Sequence, residues 1–269
     1  MLSEFFQYDF MKNVVLAILI ITPLFALLGT MIVTRKMAFF SDALGHSALT
    51  GIAVGLVCGV EDTDISMILF AIVFALLLNY ISGKMASSTD TIISVFASCS
   101  TAIGLSILSK GGNFSKYSSL LVGDILSITT KEILYLVVIF AVTLVFWIFA
   151  YNFMEAAGIS RTLAKSKGIP VTVIENIFAV LVACIVTLSI KWVGILLINA
   201  LLILPAAAAK NISVNVRDYH LFALIFSVFS GLVGLFVSYF TNVATGPMIV
   251  IVASAIYFVT FLLGRKMEG

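Results

Sequence analysis

The chain has 269 residues, of which 62% are hydrophobic and only 10% charged, whereas about a quarter of the residues of a soluble domain carry charge. A net charge of +2 gives no broad basic surface, which excludes nucleic acid and acidic polymers as partners. Lipid is the expected solvent, and no polar stretch is long enough for a soluble domain, so residues 1–269 read as a single transmembrane domain.

A bilayer crossing takes about 20 apolar residues. Candidates follow in chain order at 12–34, 38–59, 65–83, 91–109, 131–153, 172–190, 192–209, 219–240 and 246–264. The predicted fold is all-α, a polytopic membrane helix bundle of eight or nine spans, with ten as the upper bound. The first run, Val14 to Val33, follows Glu4 and Asp9 and has no small-residue cleavage site. It is expected to stay in the mature protein rather than act as a signal peptide. Segment 110–130 (KGGNFSKYSSLLVGDILSITT) has an apolar centre too short to cross, which predicts a re-entrant or surface helix near 115–128. Three cysteines, Cys58, Cys99 and Cys184, lie far apart in apolar runs without CxxC spacing and read as small buried hydrophobes.

Placing the amino end outside gathers Arg35, Lys36, Lys84, Arg161, Lys165, Lys167, Lys210, Arg217, Arg265 and Lys266 in the inner loops. The outer side keeps Lys12, Lys110, Lys116, Lys131 and Lys191, together with the acidic run Glu61, Asp62, Asp64. That asymmetry satisfies the positive-inside rule and puts the carboxyl end inside. The long inner connection, residues 154–171, contains a short helical centre ending at Gly168 and Pro170. It reads either as a solvated basic loop or as a docking helix for a cytoplasmic partner, presenting Ile159, Leu163 and Ala164 at helical spacing among positive charges.

Polarity within the spans is concentrated in the second, MAFFSDALGHSALTG, which carries Asp42 and His46 four positions apart. Helical geometry puts both on one face about 6 Å apart along the axis, with His46 roughly 15 Å beyond the Arg35-Lys36 turn. A charge at that depth costs about 2.5–3.5 kcal/mol on insertion scales, so such groups mark pathways or cavities. An imidazole and a carboxylate on one face make half of a coordination shell for a divalent transition metal. The competing reading is an ordinary intrahelical contact that tightens packing. The flanking small residues Gly45, Ser47, Ala48, Gly51, Ala53 and Gly55 form either a helix interface or a pore wall. Asp90, after Ser87, Ser88 and Thr89, suits a helix amino end and is a secondary metal candidate. Asn199 and Pro205 interrupt the seventh span, and Gly246-Pro247 opens the last. His220, beside Arg217 and Asp218, reads as a solvated loop residue. No phosphate-binding glycine loop and no HExxH occur, so the chain is expected to be no enzyme, and any ATP hydrolysis belongs to other subunits.

With these residues in place, the chain resembles a permease of the ABC family that imports zinc, manganese or iron with a metal-binding lipoprotein or periplasmic protein. The resemblance is carried by RKMAFFSDALGHSALTGIAVG at 35–55, LLVGDILSIT at 120–129, RTLAKSKGI at 161–169, VGILLINALLILPAAAAK at 193–210 and ATGPMIV at 244–250. It implies a plasma-membrane homodimer with two cytoplasmic ATP-binding subunits and an extracellular metal-binding protein. It also implies no permanently bound cofactor, a divalent metal ion as cargo, and metal contact by Asp42 and His46. The docking reading of 154–171 is favoured, with Arg161, Leu163, Ala164, Lys165, Lys167 and Gly168 as its residues. Where many relatives carry an acidic residue and a proline before the glycine-proline pair, this chain has Asn242 and Ala244, so Asn242 is a further secondary candidate. The alternative function is a secondary transporter driven by a gradient, with Asp42 and His46 as a relay.

Overall fold

The computed structural model describes residues 9–60, 62–82, 89–112, 114–117, 120 and 123–267. Glu4, Glu61, Lys84, Ser87 and Ser88, to which the sequence assigns charges or a cap, lie outside these residues. The described residues form helices and no strand. In chain order these are α1 (Asp9–Thr34), α2 (Ala38–Val57), α3 (Thr63–Ser82), α4 (Thr89–Lys110), α5 (Phe114–Tyr117), α6 (Thr130–Ile159), α7 (Arg161–Ser166), α8 (Val171–Val193), α9 (Ile195–Ile212), α10 (Val216–Thr241) and α11 (Thr245–Met267). Among the described residues, nine helices are long and apolar enough to cross a membrane, and they coincide in order with the nine candidate spans. The described part of segment 110–130 consists of α5 and a 3-10 turn, Ile125–Ser127. That turn is capped by the Asp124 carboxylate, which accepts from the Leu126 N–H at 3.1 Å.

The helix ends follow from local chemistry. Asp62 accepts from the Asp64 N–H at 2.9 Å and so caps the start of α3. The side chains of Ser160 and Asn215 cap α7 and α10 in the same way, accepting from the N–H groups of Leu163 and Asp218. Only Gly194, at φ 79°, separates α8 from α9, a conformation that a side chain resists. Pro205 sits inside α9 without ending it.

The chain divides into two compact units, the division falling within α6 and α8. The first holds α1, residues 122–147 and residues 191–269. Its helices approach closely at small residues, as apolar spans must in the absence of a hydrophobic driving force. A Cβ on Gly29 would stand 2.0 Å from the Leu202 carbonyl oxygen, so α1 and α9 touch backbone to backbone. Polar ties add direction: Ser227 Oγ donates to the Thr22 carbonyl at 2.8 Å, and the Tyr219 hydroxyl to the Thr30 carbonyl at 3.2 Å.

The second unit holds residues 37–121 and 148–190. Here α2 is gripped from two sides. Gly51 and Gly55 press on Met67, Phe70 and Ser66 of α3, while Gly104 of α4 presses on Thr50. The Thr50 hydroxyl donates to the Ser100 carbonyl at 2.7 Å. The small face of α2 is therefore a helix interface, which decides between the two sequence readings of it. The cysteines depart from expectation, since Cys58 and Cys99 are exposed and Cys184 is half-buried. Cysteine is apolar enough to face lipid, so an apolar run does not tell inside from outside.

Candidate metal site and loop helix

The short turn at Arg35 and Lys36, with Lys36 at φ 56°, starts α2. Asp42 and His46, the fifth and ninth residues of α2, project on the side of α2 that faces α4. His46 Nε2 lies 3.6 Å from Asp42 Oδ1, too long for a hydrogen bond between the two. Their side chains keep 40% and 45% exposure, His46 and Asp42 respectively. Both open into a cleft of about 470 Å³ between α2 and α4, beneath Phe39. The opposite wall carries the hydroxyls of Ser94, Ser98 and Thr101. The Thr101 hydroxyl donates to the Ala97 carbonyl at 2.8 Å, which leaves its oxygen lone pairs as acceptors.

A half-exposed carboxylate and imidazole in a spanning helix cannot rest against acyl chains at acceptable cost. Nitrogen and oxygen donors on one face suit a divalent transition ion. Among the described residues no group of three or more His, Cys, Asp or Glu side chains is placed to hold a metal. Two donors of this pair would thus need hydroxyls, water or another chain to complete a shell. Asp90, the second residue of α4, falls inside the helix rather than at its cap. Asn242 belongs to the first unit, where it ends α10 at φ 54° and ψ 36° and is exposed. Asparagine tolerates this left-handed conformation better than most residues, which accounts for the residue type without a metal.

Of the predicted docking segment, 154–159 complete α6 and 161–166 form α7. Ala164 is 2% exposed and packs with Ala157, Val171 and Ile169, so it anchors α7 to its own chain. Arg161 pairs with Glu175 of α8, whose side chain is 8% exposed. Leu163, Lys167 and Gly168 are exposed. Glu175 is the buried charged partner that sequence reasoning passed over. Its signal was a lone acid in the first turns of an apolar span, 14 residues after an arginine. His220 also differs from expectation: it is the fifth residue of α10, half-buried, with its ring 5.2 Å from Trp147 and 5.5 Å from Tyr219. The helix begins earlier than its charged residues suggested, because Asn215 caps it.

Residues 7–264 match the model of the ABC 3 transport family. The chain is 30% identical over 261 residues to the high-affinity zinc uptake system membrane protein ZnuB of Haemophilus influenzae, covering 97% of this chain and 99% of that one. It is 25% identical over 265 residues to the manganese transport system membrane protein MntC of Listeria monocytogenes, covering 98% and 94%. Among solved structures, PsaBC from Streptococcus pneumoniae in complex with Fab superposes with a TM-score of 0.82 at 26% identity, covering 97% of this chain and 95% of that one.

Proposed function

We propose, from the premise that this chain belongs to the ABC 3 transport family, that it is the pore-forming subunit of an ATP-driven importer of a divalent first-row metal ion, zinc or manganese. The observation that carries this reading is the half-exposed Asp42 and His46 pair opening into a polar cleft on a spanning helix. Relatives named for zinc and for manganese uptake support the cargo class. In this reading the chain sits in the plasma membrane with its amino end outside. An extracellular metal-binding protein delivers the ion. The ion sheds part of its water and meets the Asp42 carboxylate and the His46 imidazole. A second copy of the chain or bound water supplies the remaining donors. ATP binding and hydrolysis belong to two cytoplasmic subunits, since the sequence holds no phosphate-binding glycine loop. Those subunits engage α7 and the turn after it through Leu163, Lys167 and Gly168, which are among the exposed residues of the segment.

The test is metal uptake, measured by elemental analysis of cells carrying Asp42→Ala or His46→Ala. Each variant is expected to reach the membrane at the normal level and to abolish accumulation. Full uptake by either would refute the site. Transport by the purified chain alone, in vesicles with an ion gradient and no ATP-binding subunit, would replace the ATP-driven reading with the gradient-driven one.

A further inference from the structure

A second cleft in the same unit, about 510 Å³, opens between α3, α7 and the start of α8. Its wall on α7 is formed by Arg161 and Lys165, one turn apart and therefore on one face of that helix. Asn79 and Tyr80 contribute from α3, and Thr172 and Asn176 from α8. The two amides bind each other, Asn79 Nδ2 donating to Asn176 Oδ1 at 2.5 Å. Arg161 is held in place by the buried Glu175 behind it, and among the described residues no carboxylate pairs with Lys165. A guanidinium has five N–H donors, so pairing with one carboxylate leaves donors for the cleft. The chemistry on offer is cationic and rich in hydrogen-bond donors, and fits a phosphate monoanion.

Two further observations say where that phosphate comes from. The cleft lies at the ends of spans: α3 stops crossing at Ile81 and α8 begins at Val171. Tyr80, an aromatic of the kind enriched at head-group depth, is exposed at its rim. Below it, Leu69, Val73 and Leu76 are exposed on α3 at spacings of four and three residues, a single stripe that runs out of the cleft along the span. A basic head-group pocket continuous with an apolar stripe matches a phospholipid, with phosphate above and acyl chain below, and matches a soluble anion only in its upper half.

We propose that this cleft binds one anionic phospholipid per chain, with Lys165, Arg161 and Thr172 on the phosphate and an acyl chain along Leu69, Val73 and Leu76. This rests on the orientation given above, which puts α7 at the cytoplasmic leaflet, where anionic lipids concentrate. It also divides the basic face of α7, assigning Arg161 and Lys165 to lipid and leaving Lys167 with Leu163 for the ATP-binding subunit.

The experiment is native mass spectrometry of the purified permease with added phosphatidylglycerol or phosphatidylcholine, for the parent chain and for Lys165→Gln, Thr172→Val and Lys167→Gln. The expected result is one phosphatidylglycerol retained per chain and no phosphatidylcholine, with retention about five-fold weaker in Lys165→Gln, reduced in Thr172→Val and unchanged in Lys167→Gln. Thr172→Val adds no charge change and stays informative should Lys165→Gln fail to fold. Equal retention of the two lipids, indifference to Lys165→Gln, or full competition by inorganic phosphate would overturn the proposal. So would displacement of the lipid by an ATP-binding subunit, which would make the cleft a docking surface. Failure of the importer reading shows separately, as uptake that survives Asp42→Ala.

Discussion

Breaking the contact between Arg161 and Glu175 gives the sharpest test of how α7 is held. Removing one partner of a fully buried ion pair costs about 3–5 kcal/mol, because the other charge is stranded. Glu175 meets that condition with a side chain 8% exposed, but Arg161 keeps 46% of its surface open. Solvent screening on the arginine side lowers the expected cost of Arg161→Ala to about 1–3 kcal/mol. For chains of this size class each kcal/mol shifts a thermal midpoint by roughly 2–4 °C, so Arg161→Ala should unfold several degrees earlier in detergent without anionic lipid. Glu175→Gln keeps the shape and removes the stranded charge, so the double variant should be more stable than the sum of the two losses predicts. A coupling energy above about 0.5 kcal/mol is the signature of a direct pair. Strict additivity would show that the two side chains do not stabilise each other, and the anchoring of α7 would then rest on Ala164 alone.

Gly104→Ala places a methyl 2.7 Å from the Thr50 Cα and 2.9 Å from its nitrogen. Backbone cannot yield as a side-chain tip does, so a loss of about 1–3 kcal/mol is expected, read as a lowered unfolding midpoint. Gly112→Ala, where the added carbon meets nothing within 4 Å but φ is 68°, should cost only about 1 kcal/mol of backbone strain. At Asn242, replacement by glycine should leave both stability and metal uptake near the parent level, whereas Asn242→Val should destabilise by about 1–2 kcal/mol through its left-handed backbone. Loss of uptake in a stable Asn242→Gly protein would instead give the side chain a part in transport.

The spans were legible because hydrocarbon leaves little choice: each crossing needs its own run of apolar residues with internally satisfied hydrogen bonds. Ends were less so. The fifth span runs on to Gly158, past the predicted 153, because the helix continues through Asn152 and Glu155 after the apolar run has thinned. The common face of Asp42 and His46 followed from helical spacing alone. What covers the other face of α2 did not, since glycines at an interface and glycines along a pore look alike in sequence. The role of Ala164, buried under a loop that reads as exposed, and the partnership of Arg161 with Glu175 needed a chain reversal at Gly168 and Pro170 whose direction no periodicity encodes. His220 was misread for a related reason: charged neighbours suggested a loop where an asparagine cap had already begun a helix.

With Gly51 and Gly55 seated on α3 and Gly104 seated on Thr50, helices α2, α3 and α4 are packed backbone against backbone, which favours their moving as one block. The spacing between Asp42 and His46 on one wall and Ser94, Ser98 and Thr101 on the other is then a constant of that block. If the proposed metal site is right, such a basin does not take up or release its ion by squeezing. Its traffic is governed by whatever advances to or withdraws from its open side.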